Sequence, residues 1–71
     1  MSDHIQRMKV EHNELKGKCA DLAKFINLNE IFKTLEYDEQ VSMIQQLGFM
    51  QAYLNVLDQR LWRAHNPTAQ K

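Results

Sequence analysis

The chain has 71 residues with nine basic and nine acidic side chains, so its formal net charge is zero. This balance argues against a general nucleic-acid binder, which needs a basic excess. A single cysteine excludes an internal disulfide. A core of this size rarely supplies more than about 3–5 kcal/mol of net stability, which leaves regular helix packing and self-association as sources of stability.

The first predicted element is a helix from Ser2 or Asp3 to about Ile26, and either residue can cap its N-terminus. Its apolar positions alternate steps of three and four residues, the spacing that keeps one side of a helix against a partner helix. The seam positions are Ile5, Met8, His12, Leu15, Cys19, Leu22 and Ile26.

A short helical segment is predicted next. Asn29 is a suitable cap for a segment from Glu30 to Leu35, within which Phe32 points back toward the core. The polar residues 36–38 then form a joint.

The second long helix is predicted from about Asp38 to Ala64, and Pro67 ends it because proline disfavours helix at the preceding residue. Residues 1–66 are therefore predicted to form one helical-hairpin domain, and residues 67–71 a flexible tail. The second seam consists of Met43, Leu47, Met50, Leu54, Leu57, Leu61 and Ala64.

These elements predict an all-α fold, an antiparallel helical hairpin of two long helices with a short middle helix. If the chain folds back about Phe32, the numbers of contacting residues add up to about 65. This register places Met8 beside Leu57 and His12 near Tyr53, where a hydrogen bond is expected.

Two helices cannot bury all the apolar surface of this sequence, so we expect a dimer or a higher oligomer. The alternative is a monomer in which the middle segment covers one face. Two glycines are predicted to lie at the same height along the hairpin, which suggests that another backbone or a ligand approaches closely there. The alternative is that these glycines have no functional or interface role. The predicted interface residues are Val10, Gly17, Gly48, Phe49 and Val56.

A basic and aromatic cluster near the chain ends is the best candidate for ligand binding. Guanidinium groups can donate paired hydrogen bonds to a phosphate, and aromatic faces can stack on a base. Ordinary packing and complementation of the helix dipole is the alternative. The candidate residues are Arg7, Tyr53, Arg60, Trp62 and Arg63.

No residue pattern indicates catalysis, a metal or a cofactor. Cys19 and the three histidines share no metal-ligand spacing, and no nucleophile stands beside a base. We therefore predict a protein that is not an enzyme. His12 can set register or act as an acid or base, and Cys19 is interpreted as a small buried apolar residue. No apolar run approaches the length of a membrane span, so no membrane partner is expected.

Part of this pattern also occurs in a known family, between about Ile5 and Trp62. The shared positions are Arg7, Met8, Glu11, Glu14, Leu15 and Lys18, then Phe25, Ile26, Phe32, Leu35, Glu39 and Gln40, then Gln46, Met50, Tyr53, Leu57, Arg60 and Leu61. The layout resembles a family of small uncharacterised proteins of tailed bacteriophages and prophages, including crAss-like phages. Many members have serine or threonine ahead of the second long helix, where this chain has Glu36-Tyr37.

The resemblance implies a phage accessory protein in the cytoplasm of a bacterial host, and such proteins often counter host defence by binding. The leading hypothesis is an oligomeric sponge that sequesters a nucleotide-like immune signal, of the cyclic-nucleotide or ADP-ribose type. The alternative is an inhibitor or adaptor that docks on a host enzyme through an apolar helix face. The ligand, the host target and the oligomer symmetry cannot be read from the sequence.

Overall fold

The computed structural model describes residues 3–66, which form three helices. Helix α1 spans Asp3–Leu28, α2 spans Glu30–Thr34 and α3 spans Tyr37–His65. The long helices α1 and α3 lie side by side and antiparallel, and α2 is part of the connection between them. The predicted all-α helical hairpin is thus confirmed. Ser2 and the predicted tail at residues 67–71 lie outside the described residues.

The two predicted seams form the interface between α1 and α3. Met8 and Cys19 are buried on α1, and Leu57 on α3 is completely shielded from solvent. Phe32 of α2 covers the closed end of the hairpin and is also buried. The half-buried seam positions are Ile5, His12, Leu15, Leu22, Ile26, Met43, Leu47, Met50, Leu54, Leu61 and Ala64. A thin layer of apolar side chains therefore holds a rod with extents of 49 × 21 × 16 Å.

The connection between the long helices is fixed by local hydrogen bonds and one aromatic contact. The side chain of Asn29 accepts a hydrogen bond from the backbone N–H of Ile31 at 2.8 Å, which confirms its predicted capping role. The rings of Phe25 and Phe32 meet edge to face with their centroids 6.2 Å apart. The chain direction therefore reverses at a defined point.

Gln40 stabilises the start of α3 in a way that the sequence reading missed. Glu36 is the N-cap residue, but its side chain makes no capping hydrogen bond. The amide Nε2 of Gln40 instead donates to the carbonyl oxygens of Phe32 at 3.0 Å and Leu35 at 3.1 Å. The Leu35 carbonyl thereby gains a hydrogen-bond donor, and the Phe32 carbonyl, which already accepts from the backbone N–H of Leu35, gains a second one.

Neither long helix, within residues 3–66, is both long and apolar enough to cross a membrane.

Candidate ligand-binding site

Side-chain hydrogen bonds made by Tyr53 and by His12 join α1 to α3, one on each side of the apolar seam. The hydroxyl of Tyr53 donates to Oε2 of Glu11 at 2.5 Å. The ring nitrogen Nε2 of His12 pairs with Oδ1 of Asp58. Glu11 and His12 are consecutive and therefore about 100° apart around α1, so the two bonds flank the seam on opposite sides.

The bond made by His12 differs from the predicted one. The sequence register placed His12 near Tyr53, but the partner of His12 is Asp58, and Tyr53 bonds instead to the preceding residue, Glu11. The longitudinal register was nearly right, since the numbers of Glu11 and Tyr53 add up to one less than expected. What the prediction missed was the rotation of α1, which turns its two consecutive residues to different flanks.

The bond between Glu11 and Tyr53 lies within a charged surface on one side of the hairpin. Arg7 precedes Glu11 by one helical turn, and Arg60 follows Tyr53 by two turns, so each arginine shares the face of its neighbour. Because the helices are antiparallel, both arginines lie toward the open end, by about 6 Å and 10 Å along the axis. We call the surface formed by Arg7, Glu11, Tyr53 and Arg60 the Tyr53 flank.

The electrostatics of the Tyr53 flank show that its groups act on one another. The hydrogen bond to Glu11 raises the pKa of Tyr53 above its ordinary value, and burial and the negative charge of Glu11 act in the same direction. The positive charge of Arg60 lowers that pKa in part. Tyr53 therefore stays protonated at neutral pH and donates its hydrogen bond to the Glu11 carboxylate.

We expect the hydrogen bond between Tyr53 and Glu11 to make the stability of the hairpin fall as the pH rises in the alkaline range. A pKa raised by folding contributes stability that is complete below the ordinary tyrosine pKa of about 10 and is lost as pH rises through the folded value. Urea denaturation at a series of pH values should show this loss. In a Tyr37→Phe background, tyrosinate absorbance should report a lower pKa of Tyr53 after Glu11→Gln. An unchanged absorbance titration would contradict the interaction.

An exposed apolar stripe on α3 runs through the same surface. Phe49 precedes Tyr53 by four residues and Val56 follows it by three, so all three lie on one face of the helix. Phe49 is 75% exposed, while Tyr53 and Val56 are just under half exposed. The stripe leads directly to Arg60, one turn beyond Val56.

A shallow depression on α1 adjoins the Tyr53 flank and extends around α1, away from α3. Arg7, Val10 and Glu11 line it together with Gln6 and Glu14. Val10 is 55% exposed and supplies the apolar part of its floor. Apolar and charged groups thus lie side by side on both helices.

The remaining candidate ligand residues are divided between two sides of α3. Arg63 follows Arg60 by three residues and is its neighbour on the helix surface. Trp62 follows Arg60 by two residues, which rotates its side chain by about 200°, to the other side of α3. Trp62 is 56% exposed there. Within one hairpin, Arg7, Tyr53 and Arg60 therefore lie on one side, and Trp62 lies on another.

The two glycines and Cys19 have different surroundings. A Cβ atom added at Gly17 or at Gly48 would meet nothing within 4 Å, so the opposite helix does not approach either glycine closely. Cys19 is buried with a free thiol, as its apolar interpretation predicted. Among residues 3–66, no group of three His, Cys, Asp or Glu side chains is arranged to hold a metal ion.

Two site residues escaped the sequence reading, Glu11 as the partner of Tyr53 and Asp58 as the partner of His12. The sequence did contain a signal for the role of Glu11. This residue follows Arg7 by one helical turn, and the predicted register places it near the height of Tyr53. Asp58 follows a seam leucine directly and resembled any other solvated acidic residue.

The fold and this surface define the chain as a small helical-hairpin protein with a charged and aromatic surface on one side. The sequence model of the Sequestin family matches residues 2–63, and the chain belongs to that family. The family name indicates a binding function by sequestration. No curated protein matches the chain significantly. No solved structure does so either.

Proposed function

We propose that this chain is a non-enzymatic phage accessory protein that counters host defence by sequestering a nucleotide-like signal. In this proposal it acts in the cytoplasm of a bacterial host. The observation that carries the proposal is the Tyr53 flank, where Arg7, Arg60 and a tyrosine hydroxyl share one exposed surface. The name of the family and the phage-like sequence layout support the same direction.

The chemistry of the Tyr53 flank suits a phosphate-containing ligand that also carries a base. A guanidinium group donates paired hydrogen bonds to phosphate oxygens, and a half-exposed tyrosine ring offers a face to a base. The stripe of Phe49 and Val56 beside them supplies apolar contact. A cyclic nucleotide or an ADP-ribose-type nucleotide combines these features in one molecule.

A shallow surface on one hairpin encloses a small ligand poorly, so the proposal includes a homo-oligomer. Specific small-molecule sites usually bury most of the ligand surface. Burying a valine or phenylalanine side chain contributes about 1.5–3 kcal/mol each, so pairing of the exposed stripe stabilises a second copy. Val10, Phe49 and Val56 lie next to the charged groups, and a partner hairpin on them would form a wall of the pocket. Gly17 and Gly48 offer further open surface for close contact.

Isothermal titration calorimetry against ADP-ribose, cyclic ADP-ribose and cyclic dinucleotides tests the proposal. We expect tight binding of one class with fewer than one ligand per chain. Light scattering should find at least two chains per particle. Absence of binding across the panel by a protein confirmed as folded, or a monomer at micromolar concentration, would contradict the sponge.

A second candidate function is favoured by the exposed apolar stripe alone. The chain would then dock on a host enzyme as an inhibitor or adaptor, with Phe49 and Val56 rather than the arginines as its main contacts. A pull-down from host lysate tests this alternative. One enriched enzyme whose binding survives Arg60→Ala but not Phe49→Ser would favour docking over sequestration.

A further inference from the structure

We infer that Glu11 is a specificity-determining residue, whose carboxylate repels highly charged anions and reserves the Tyr53 flank for ligands with few negative charges. This inference rests on the proposed function and deepens it. It identifies the ligand class as a nucleotide with a diphosphate or less, and nucleoside triphosphates as the class rejected.

The argument begins with the position of the carboxylate. Glu11 lies one turn from Arg7 and is bonded to Tyr53, whose hydroxyl responds to the charge of Arg60. Any anion that engages both arginines therefore lies close to a fixed negative charge. The repulsion from this carboxylate grows in proportion to the negative charge of the ligand, so it weakens the binding of a triphosphate more than that of a diphosphate.

A sponge in a cell needs such a repulsive element. Arginines beside an aromatic ring would bind any nucleotide, and nucleoside triphosphates share the base and the ribose of the signal. Specificity is a difference between two affinities. A negative charge in the site produces such a difference, because it lowers the affinity for the more negatively charged ligand. The hydrogen bond from Tyr53 holds this charge in place when no ligand is bound.

The test compares Glu11→Gln with Glu14→Gln. A glutamine at position 11 keeps an acceptor for the Tyr53 hydroxyl while it removes the charge. Glu14 lines the same depression, so Glu14→Gln changes the net charge equally at a position one turn further from the open end. Calorimetry with ADP-ribose, ATP and inorganic triphosphate should show that Glu11→Gln increases ATP affinity about tenfold more than ADP-ribose affinity. Glu14→Gln should change this ratio by less than about threefold.

Each other outcome has a defined meaning. An unchanged ratio in Glu11→Gln, or an equal change in Glu14→Gln, would overturn the inference and leave the proposed function intact. Weakened ADP-ribose binding by Glu11→Gln would also overturn it, because Glu11 would then accept hydrogen bonds from the ligand. If the natural chain binds no nucleotide but Glu11→Gln binds ATP and triphosphate, the sponge fails and the charge barrier stands. If neither the natural chain nor Glu11→Gln binds any of the three compounds, both the proposed function and the inference about Glu11 fail.

Discussion

Replacement of Leu57 by alanine should largely unfold this protein. Leu57 is the one described side chain that is completely shielded from solvent, and it lies in the α1–α3 seam toward the open end of the hairpin. Leucine-to-alanine changes in packed cores cost about 2–5 kcal/mol, through lost transfer free energy and the remaining cavity. A chain of this length rarely gains more than about 3–5 kcal/mol of net stability from its own core. Circular dichroism should therefore show a large loss of helicity at 25 °C.

The matched control for this experiment is Leu28→Ala, the same chemical change at the end of α1. Leu28 is 78% exposed, so its truncation should alter the free energy of unfolding by no more than about 0.5 kcal/mol. Both variants should be measured over a range of protein concentrations, because self-association adds stability that dilution removes. Equal melting behaviour of the two variants would show that the seam is not the source of stability.

The sequence predicted the hairpin well because its seams are long and regular. Each contains seven positions spaced by three and four residues, and burial at Met8, Cys19 and Leu57 follows that pattern. The predicted cap at Asn29 is also present, since asparagine next to a helix start has a strong local preference. Signals of this kind depend on neighbours along the chain, and no tertiary detail is needed to read them.

The candidate site was only partly predictable, because it depends on how the helices are rotated about their axes. A shift of one residue along α1 turns a side chain by about 100°, and this decides whether Glu11 or His12 meets Tyr53. The two hydrogen bonds that the Gln40 side chain donates depend on the path of the connection between α1 and α3. The spacing of apolar residues does not predict that path. Arg60 and Trp62 are close in sequence but lie on different sides of α3, so their proximity along the chain suggested a cluster that the helix geometry divides.

Replacement of Arg60 by alanine should remove nucleotide binding and leave the fold intact. Arg60 is exposed, and its charge acts on Tyr53 across the proposed site. In the proposed complex a ligand and a second copy cover Arg60, and truncating one partner of such a buried charged pair costs about 2–5 kcal/mol, which corresponds to at least about thirtyfold in affinity. Arg60→Lys should give an intermediate loss, because lysine keeps the charge but cannot form the paired hydrogen bonds of a guanidinium group. Calorimetry gives the affinities, and circular dichroism checks that helicity is unchanged.

Comparison with Phe49→Ser separates the two candidate functions. For a sponge whose pocket needs a second copy, Arg60→Ala loses the ligand but keeps the oligomer, whereas Phe49→Ser loses both. Phe49 is largely exposed in the hairpin, so its replacement should change the stability of a single copy little. Light scattering and calorimetry on the same samples measure the two properties together. If Arg60→Ala retains full counter-defence activity while Phe49→Ser abolishes it, the apolar stripe rather than the charged flank is the working surface. The chain would then act by docking on a protein.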